Sequence, residues 1–165
     1  MSELYCVYDN NKYLAEVCNN IVEITSKYYV EGFEKYVDVI GRVHDDIFVK
    51  KVSIDDVKLL YEEHTYIRYK NEWFQLFADK ILKSAVIDNE FMLWTDSEQL
   101  AYKYEFEKKE QFVFIKNITR EEIQSLKIVR VPVLSLKNEE VSETVLEGKK
   151  VIDYLNTFVN EEIIE

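Results

Sequence analysis

Residues 48–60, FVKKVSIDDVKLL, are echoed 66 positions later by residues 114–126, FIKNITREEIQSL. Phe48, Lys50 and Leu60 recur as Phe114, Lys116 and Leu126, and Val49, Val52 and Val57 recur as isoleucines. Ser53 becomes Thr119, and Asp55-Asp56 becomes Glu121-Glu122. A looser echo at a spacing of 61 pairs Tyr5, Tyr8 and Asn10 with Tyr66, Tyr69 and Asn71, and Tyr13 with Phe74. The spacings differ by five, so the second copy carries a short insertion between the two blocks. A recurring unit of about 60 residues restricts the fold before any other signal is read. The expectation is an α+β chain of two tandem repeats, residues 1–63 and 64–136, built from antiparallel strands and short helices. Residues 137–165 then form a helical C-terminal tail packed on the repeats.

Local signals fill in each copy. Leu4 to Tyr8 and Lys12 to Val17 alternate like strands around a turn at Asp9-Asn10-Asn11, and Ile21 to Thr25 follows the turn residues Asn19-Asn20. Phe33, Tyr36, Val37 and Ile40 have helical spacing, but Gly32 and Gly41 bracket them and leave the segment unassigned. Ile47 to Val52 is a strand. Ser53, with Asp56 three residues on, then predicts a short helix with Val57, Leu60 and Tyr61 inward. In the second copy, Tyr66 to Tyr69 and Trp73 to Phe77 flank a turn at Lys70-Asn71-Glu72. Ile81 to Ile87 and Phe91 to Thr95 are expected to form a hairpin through Asp88-Asn89-Glu90. Asp96 is expected to cap a helix over 97–104, and Thr119 with Glu122 repeats the capping pattern. Pro132 places the strand over 127–136 at an edge or a bend. Residues 138–160 carry a helical apolar set that Gly148 divides.

The chain has 165 residues, 47% of them hydrophobic, which is enough to bury a core and argues against disorder. No apolar run is long enough to cross a bilayer, and the opening MSELYCVYDN lacks the basic and apolar regions of a secretion signal. A cytoplasmic location follows as the default. There Cys6 and Cys18 stay reduced, and both are read as small residues on buried strand faces. The charge is −11, with 13 acids against 7 bases in residues 1–63 but 11 against 10 in residues 64–129. Such a surface disfavours free nucleic acid and favours a basic protein partner.

No sequence feature calls for catalysis. His44 and His64 stand in no paired metal or protease motif, and there is no GxSxG elbow, CxxC pair or phosphate-binding glycine loop. The paired carboxylates are numerous because acids are numerous, and Asp55-Asp56 and Glu121-Glu122 suit the first turns of helices. Neither a metal nor a cofactor is expected. In the pairs Tyr5/Tyr8 and Tyr66/Tyr69, positions i and i+3 face opposite sides of a strand, so one ring of each pair is expected outside. Exposed tyrosines among acids suit protein recognition.

The segments Tyr66-Ile-Arg-Tyr-Lys-Asn-Glu-Trp-Phe, Leu93-Trp-Thr-Asp-Ser-Glu-Gln-Leu-Ala and Phe114-Ile-Lys-Asn-Ile-Thr-Arg-Glu-Glu-Ile resemble immunity proteins of bacterial polymorphic toxin systems. The resemblance covers roughly residues 4–136 and is one of pattern. It implies a small acidic protein of tandem α+β units that neutralises a toxin domain by binding and performs no chemistry. It carries over no functional residue. The expected partner is a cognate toxin, a basic nuclease, blocked by an acidic and aromatic surface with no direct nucleic-acid or membrane contact. On charge and exposure the candidate contacts are Asp45, Asp46, Glu62, Glu63, Tyr8 and Tyr29. The alternatives are a DNA-mimicking inhibitor of phage type, a hydrolase using converged carboxylates and a metal, and an interaction module with no inhibitory role.

Overall fold

A computed structural model describes residues 4–135 and 141–160. The chain is mostly antiparallel β-structure with three short α-helices, the last near the C-terminus. It divides into two compact units. Of the described residues, the first unit holds 4–62, 131–135 and Val141, and the second holds 63–130 and 142–160.

The first unit contains β1 (Leu4–Tyr8), β2 (Asn11–Cys18), β3 (Ile21–Ser26), β4 (Glu34–Val37), β5 (Val43–Ser53) and the opening of β6 (Leu59–Tyr69). Their order is β4-β5-β3-β2-β1-β6. The β1–β2 connection is a two-residue turn in which Asp9 and Asn10 take φ of 49° and 65°. Two successive left-handed residues twist a hairpin the way its strands twist, and Asp and Asn tolerate that conformation. Alternate side chains then meet on one face: Cys6 on β1, Tyr13 and Ala15 on β2, Val22 and Ile24 on β3, and Val52 on β5. Phe33, Val57 and Leu60 complete this core.

The second unit takes the rest of β6, then β7 (Glu72–Leu76), α1 (Lys83–Asp88), β8 (Phe91–Thr95), α2 (Glu98–Lys103), β9 (Glu107–Glu110), β10 (Val113–Ile118), β11 (Ser125–Ser135), β12 (Ser142–Glu147) and α3 (Lys149–Asn160). Its strands run β9-β10-β8-β7-β6, with β11 pairing both β6 and β12. Substituting β6–β11 for β1–β6 reproduces the order of the first unit. The β6–β7 turn is of the same kind, with Lys70 and Asn71 at φ of 48° and 68°. Ile67, Phe74, Leu76, Phe91, Leu93 and Ile118 form the core face, and Val151 and Leu155 of α3 pack into it.

Several expectations are corrected. After Ser53 the chain makes only a 3-10 turn, Ile54–Asp56, and Leu60 and Tyr61 belong to β6, where they pair with Cys6 and Tyr5. After Thr119 a 3-10 turn over Arg120–Glu122 likewise leads straight into β11. In both places an unpaired strand offers a full ladder of hydrogen bonds, which a one-turn helix cannot match. The expected strand over 81–87 gives way to α1, whose buried Val86 joins the core with Ile81 just ahead of the helix; α1 packs on α3, and left-handed Asn89 ends it where a hairpin turn was expected. Ser97, not Asp96, caps α2, with its Oγ accepting from Leu100 N at 3.2 Å. The tail is not helical throughout: Ser142–Glu147 is strand β12, paired with β11, and the helix begins after Gly148. Residues 137–140 and 161–165 of that expected tail lie outside the described residues. Cys18 is exposed at the end of β2, whereas Cys6 is buried.

Candidate protein-binding surface

The β4–β5 hairpin carries the surface. Its tip is built by Asp38, whose Oδ1 accepts from the backbone N–H groups of Ile40 (3.1 Å) and Arg42 (2.9 Å). Asp38 Oδ2 meets His44 Nε2 at 3.0 Å, and the backbone closes through Asp38 N to Arg42 O and Gly41 N to Asp38 O. Gly41 supplies a φ of 86° that few other residues tolerate. The Arg42 amide, followed by the His44 bond, holds the Asp38 carboxyl below the usual carboxylate range.

With its polar groups tied inward, the tip turns apolar side chains outward. Val37, Val39, Ile40 and Val43 are all exposed, Val39 completely. Tyr28 and Tyr29, on the segment leading into β4, are exposed as well; Tyr29 rests edge-on against Phe48 at 5.8 Å between ring centroids. Asp45 and Asp46 are exposed on β5. Asp45 accepts from Lys35 Nζ at 2.9 Å, which lowers its pKa, yet its side chain remains 84% exposed. Exposed apolar groups clustered on a fixed turn and bordered by acids have the make-up of a protein contact.

The sequence of this segment falls within a span, residues 1–133, that matches the profile of a family described as Uncharacterised conserved protein UCP033725. The chain belongs to that family. No curated protein matches it, and no solved structure does. In this UCP033725 member β12 and α3 lie beyond the matched span.

The residues expected as contacts are not all together. Asp45 and Asp46 are exposed on β5 of the hairpin, and exposed Tyr29 meets the same strand at Phe48, which pairs with Lys35 of β4. Tyr8 ends β1 at the rim of the first core; its hydroxyl accepts from Lys50 Nζ at 3.2 Å, and the ammonium lies 5.1 Å from the ring centroid. Glu62 is half-buried on β6. Glu63 belongs to the second unit, where its side chain, 10% exposed, is held by Arg130 Nε at 3.3 Å. The exposed aliphatics at 37–43 were missed from sequence. Their signal was there in YVDVIGRV, where apolar residues surround a Gly that helical spacing could not explain.

The second unit of this family member has polar features of its own. His64 Nδ1 lies 3.1 Å from Asp79 Oδ1, and the Gln75 amide donates to the same carboxylate oxygen. Asp79 has a φ of 63° and its carbonyl accepts from Thr65 N, so a tight turn holds the pair. An open groove of about 390 Å³ lies between Leu76, Phe77, Leu82, Ala85 and Met92, with Lys109 over the Phe77 ring at 4.2 Å. Among the described residues no group of three or more His, Cys, Asp or Glu is placed to hold a metal ion. No helix among them is long and apolar enough to cross a membrane.

Proposed function

We propose that this chain is a cytoplasmic immunity protein that binds a bacterial toxin domain and blocks it, performing no reaction itself. The observation that carries the reading is the hairpin surface: Tyr28, Tyr29, Val37, Val39, Ile40 and Val43 exposed together within sixteen residues, with Asp45 and Asp46 alongside. Aromatic and aliphatic groups supply the desolvated centre of such a contact, and the acids and the net charge of −11 speed capture of a basic partner, a nuclease above all. Because Asp38 fixes the tip before binding, little conformational entropy is lost on contact.

We also read the two units as tandem copies of one strand arrangement, to which the second adds the α-helices. The shared strand order, the matching left-handed turns at Asp9-Asn10 and Lys70-Asn71, and the Ser53 and Thr119 turns support this.

The test is co-expression with the toxin encoded by the neighbouring gene, followed by pull-down and cell survival. The unaltered chain is expected to bind and rescue. Val39→Asp with Ile40→Asp is expected to weaken binding by about a hundredfold, the size of a hot-spot loss. Binding that survives this change would move the contact elsewhere, and failure of the unaltered chain to bind or rescue would remove the function.

A further inference from the structure

The two units build the same corner and close it differently. In the second unit a turn at Tyr104-Glu105 leads through Phe106 into the four-residue edge strand β9. In the first, a turn at Glu31-Gly32 leads through Phe33 into the four-residue edge strand β4. Glu105 and Gly32, the second turn residues, both have positive φ, 60° and 90°. Phe106 packs on Phe74 with centroids 4.8 Å apart and planes at 39°, and Phe33 packs on Tyr13 at 5.3 Å and 40°. Lys116 Nζ lies 5.9 Å from the Tyr69 ring centre and 3.5 Å from the Glu105 carbonyl oxygen. Lys50 Nζ lies 5.1 Å from the Tyr8 ring centre and reaches the space beside Gly32, where an added Cβ would meet it at 3.4 Å.

One position breaks the correspondence. Tyr104 lays its ring against Tyr69 (6.4 Å) and edge-on to Phe74 (5.4 Å), and Tyr69 is left only 3% exposed. The equivalent turn residue in the first unit is Glu31, which is exposed, and Tyr8, the counterpart of Tyr69, is only half-buried. Among the described residues the first corner therefore keeps half-buried Tyr8 with Lys50 beside it, above the buried Tyr13–Phe33 pair, but has no ring seated as Tyr104 is in the second.

We propose that the first corner is a slot for one aromatic side chain of a partner protein, seated as Tyr104 is seated in the second unit. The aromatic platform supplies face and edge contacts, and the Lys50 ammonium adds a cation–π partner and a donor for a phenolic hydroxyl. That the ring belongs to a toxin rests on the function proposed above; the slot itself does not.

The test uses p-cresol, the tyrosine side chain as a free molecule, and follows NMR shifts of Tyr8, Tyr13 and Lys50 in the full chain. Saturable shifts at these three residues are expected in the unaltered protein. Glu31→Tyr, a change on an exposed turn, is expected to fill the slot from within and weaken p-cresol binding by about tenfold, the scale of one aromatic pair. Tyr104→Ala is expected to open a second p-cresol site with shifts at Tyr69 and Lys116. No saturable shift at Tyr8 and Lys50, or equal affinity in Glu31→Tyr, would overturn the proposal. Since p-cresol stands in for the partner, a toxin that fails to bind would remove the function above and leave this result intact.

Discussion

Tyr69 and Tyr8 hold the same place in two units with one strand order, yet the first is sealed and the second stands half open. The second unit surrounds its corner with Tyr104 and Phe106 and closes its core further with Val86 of α1 and with Val151 and Leu155 of α3. The first covers its core with a loop that carries Val30 and Phe33, then exposes Val37, Val39, Ile40 and Val43 on the hairpin that follows. The edge strands differ in the same sense. β9 reads Glu-Lys-Lys-Glu, all exposed, a charged edge that resists pairing with another chain. β4 reads Glu-Lys-Tyr-Val and runs into the apolar tip. The second unit also exposes apolar residues, Ile87, Tyr102 and Phe112 among them, but at separate places along the chain, whereas the first gathers Val37, Val39, Ile40 and Val43 on one hairpin.

The largest effect that can sharpen this contrast is in the cores. Phe74 touches Tyr69, Tyr104 and Phe106, so Phe74→Ala is expected to cost about 3–5 kcal/mol. Tyr13, its counterpart, has the Phe33 contact but, among the described residues, no equivalent of Tyr104, so Tyr13→Ala is expected to cost less by about 1–2 kcal/mol. Trp73 and Trp94 both lie in the second unit and Cys6 in the first. Urea titrations read by tryptophan emission and by Cys6 labelling therefore follow the units separately. Equal losses would break the comparison.

A smaller difference is expected at the two 3-10 turns. Glu122 reaches back to accept from Thr119 N at 2.8 Å, while Ser53 Oγ only accepts from Asp55 N at 3.3 Å. Glu122→Ala is expected to cost about 1 kcal/mol and Ser53→Ala about half of that, by the same titrations. A larger loss at Ser53 would reverse the ranking.

Alkaline pH gives the gentlest test. Burial pushes the Cys6 thiol from 9.0 to about 11, so the unfolded chain releases its proton first. The first unit is therefore expected to lose stability as pH rises through 9 to 11, with nothing lost from this group below that window. Tyr154, raised from 10.0 to about 12 by burial and then by Glu63, shifts the equivalent loss in the second unit to pH 10 to 12. Thiol reagents at neutral pH should label exposed Cys18 rapidly and Cys6 only on unfolding.

The hairpin turns were legible because Asn and Asp occupy them for a local reason: the backbone there is left-handed, and few other side chains accept it. The strands flanking them were legible from alternation, as at Cys6, Tyr13, Ala15, Val22 and Ile24. Within the candidate surface, Asp45, Asp46 and Tyr29 were readable as charge and aromatic signals. Val37, Val39, Ile40 and Val43 were not, because apolar residues are expected to be buried and nothing local says otherwise. Glu63 looked like one of an acidic pair, but its Arg130 partner is 67 positions away, beyond any local pattern.

The sequence by itself determined the turns at Asp9-Asn10 and Lys70-Asn71, the alternation of the core strands and the recurrence of the block that ends at Leu60 and again at Leu126. These depend on backbone preferences and periodicity, which act over a few residues. Only the tertiary structure decided that Ser142–Glu147 extends as a strand, that Lys83–Asp88 coils as a helix, and that Tyr69 is covered while Tyr8 is not. Each of those outcomes turns on a partner distant in the chain: β11 for the strand, α3 for the helix, Tyr104 for the ring. Burial and pairing with such partners outweigh the few tenths of a kcal/mol per residue that local propensity typically contributes.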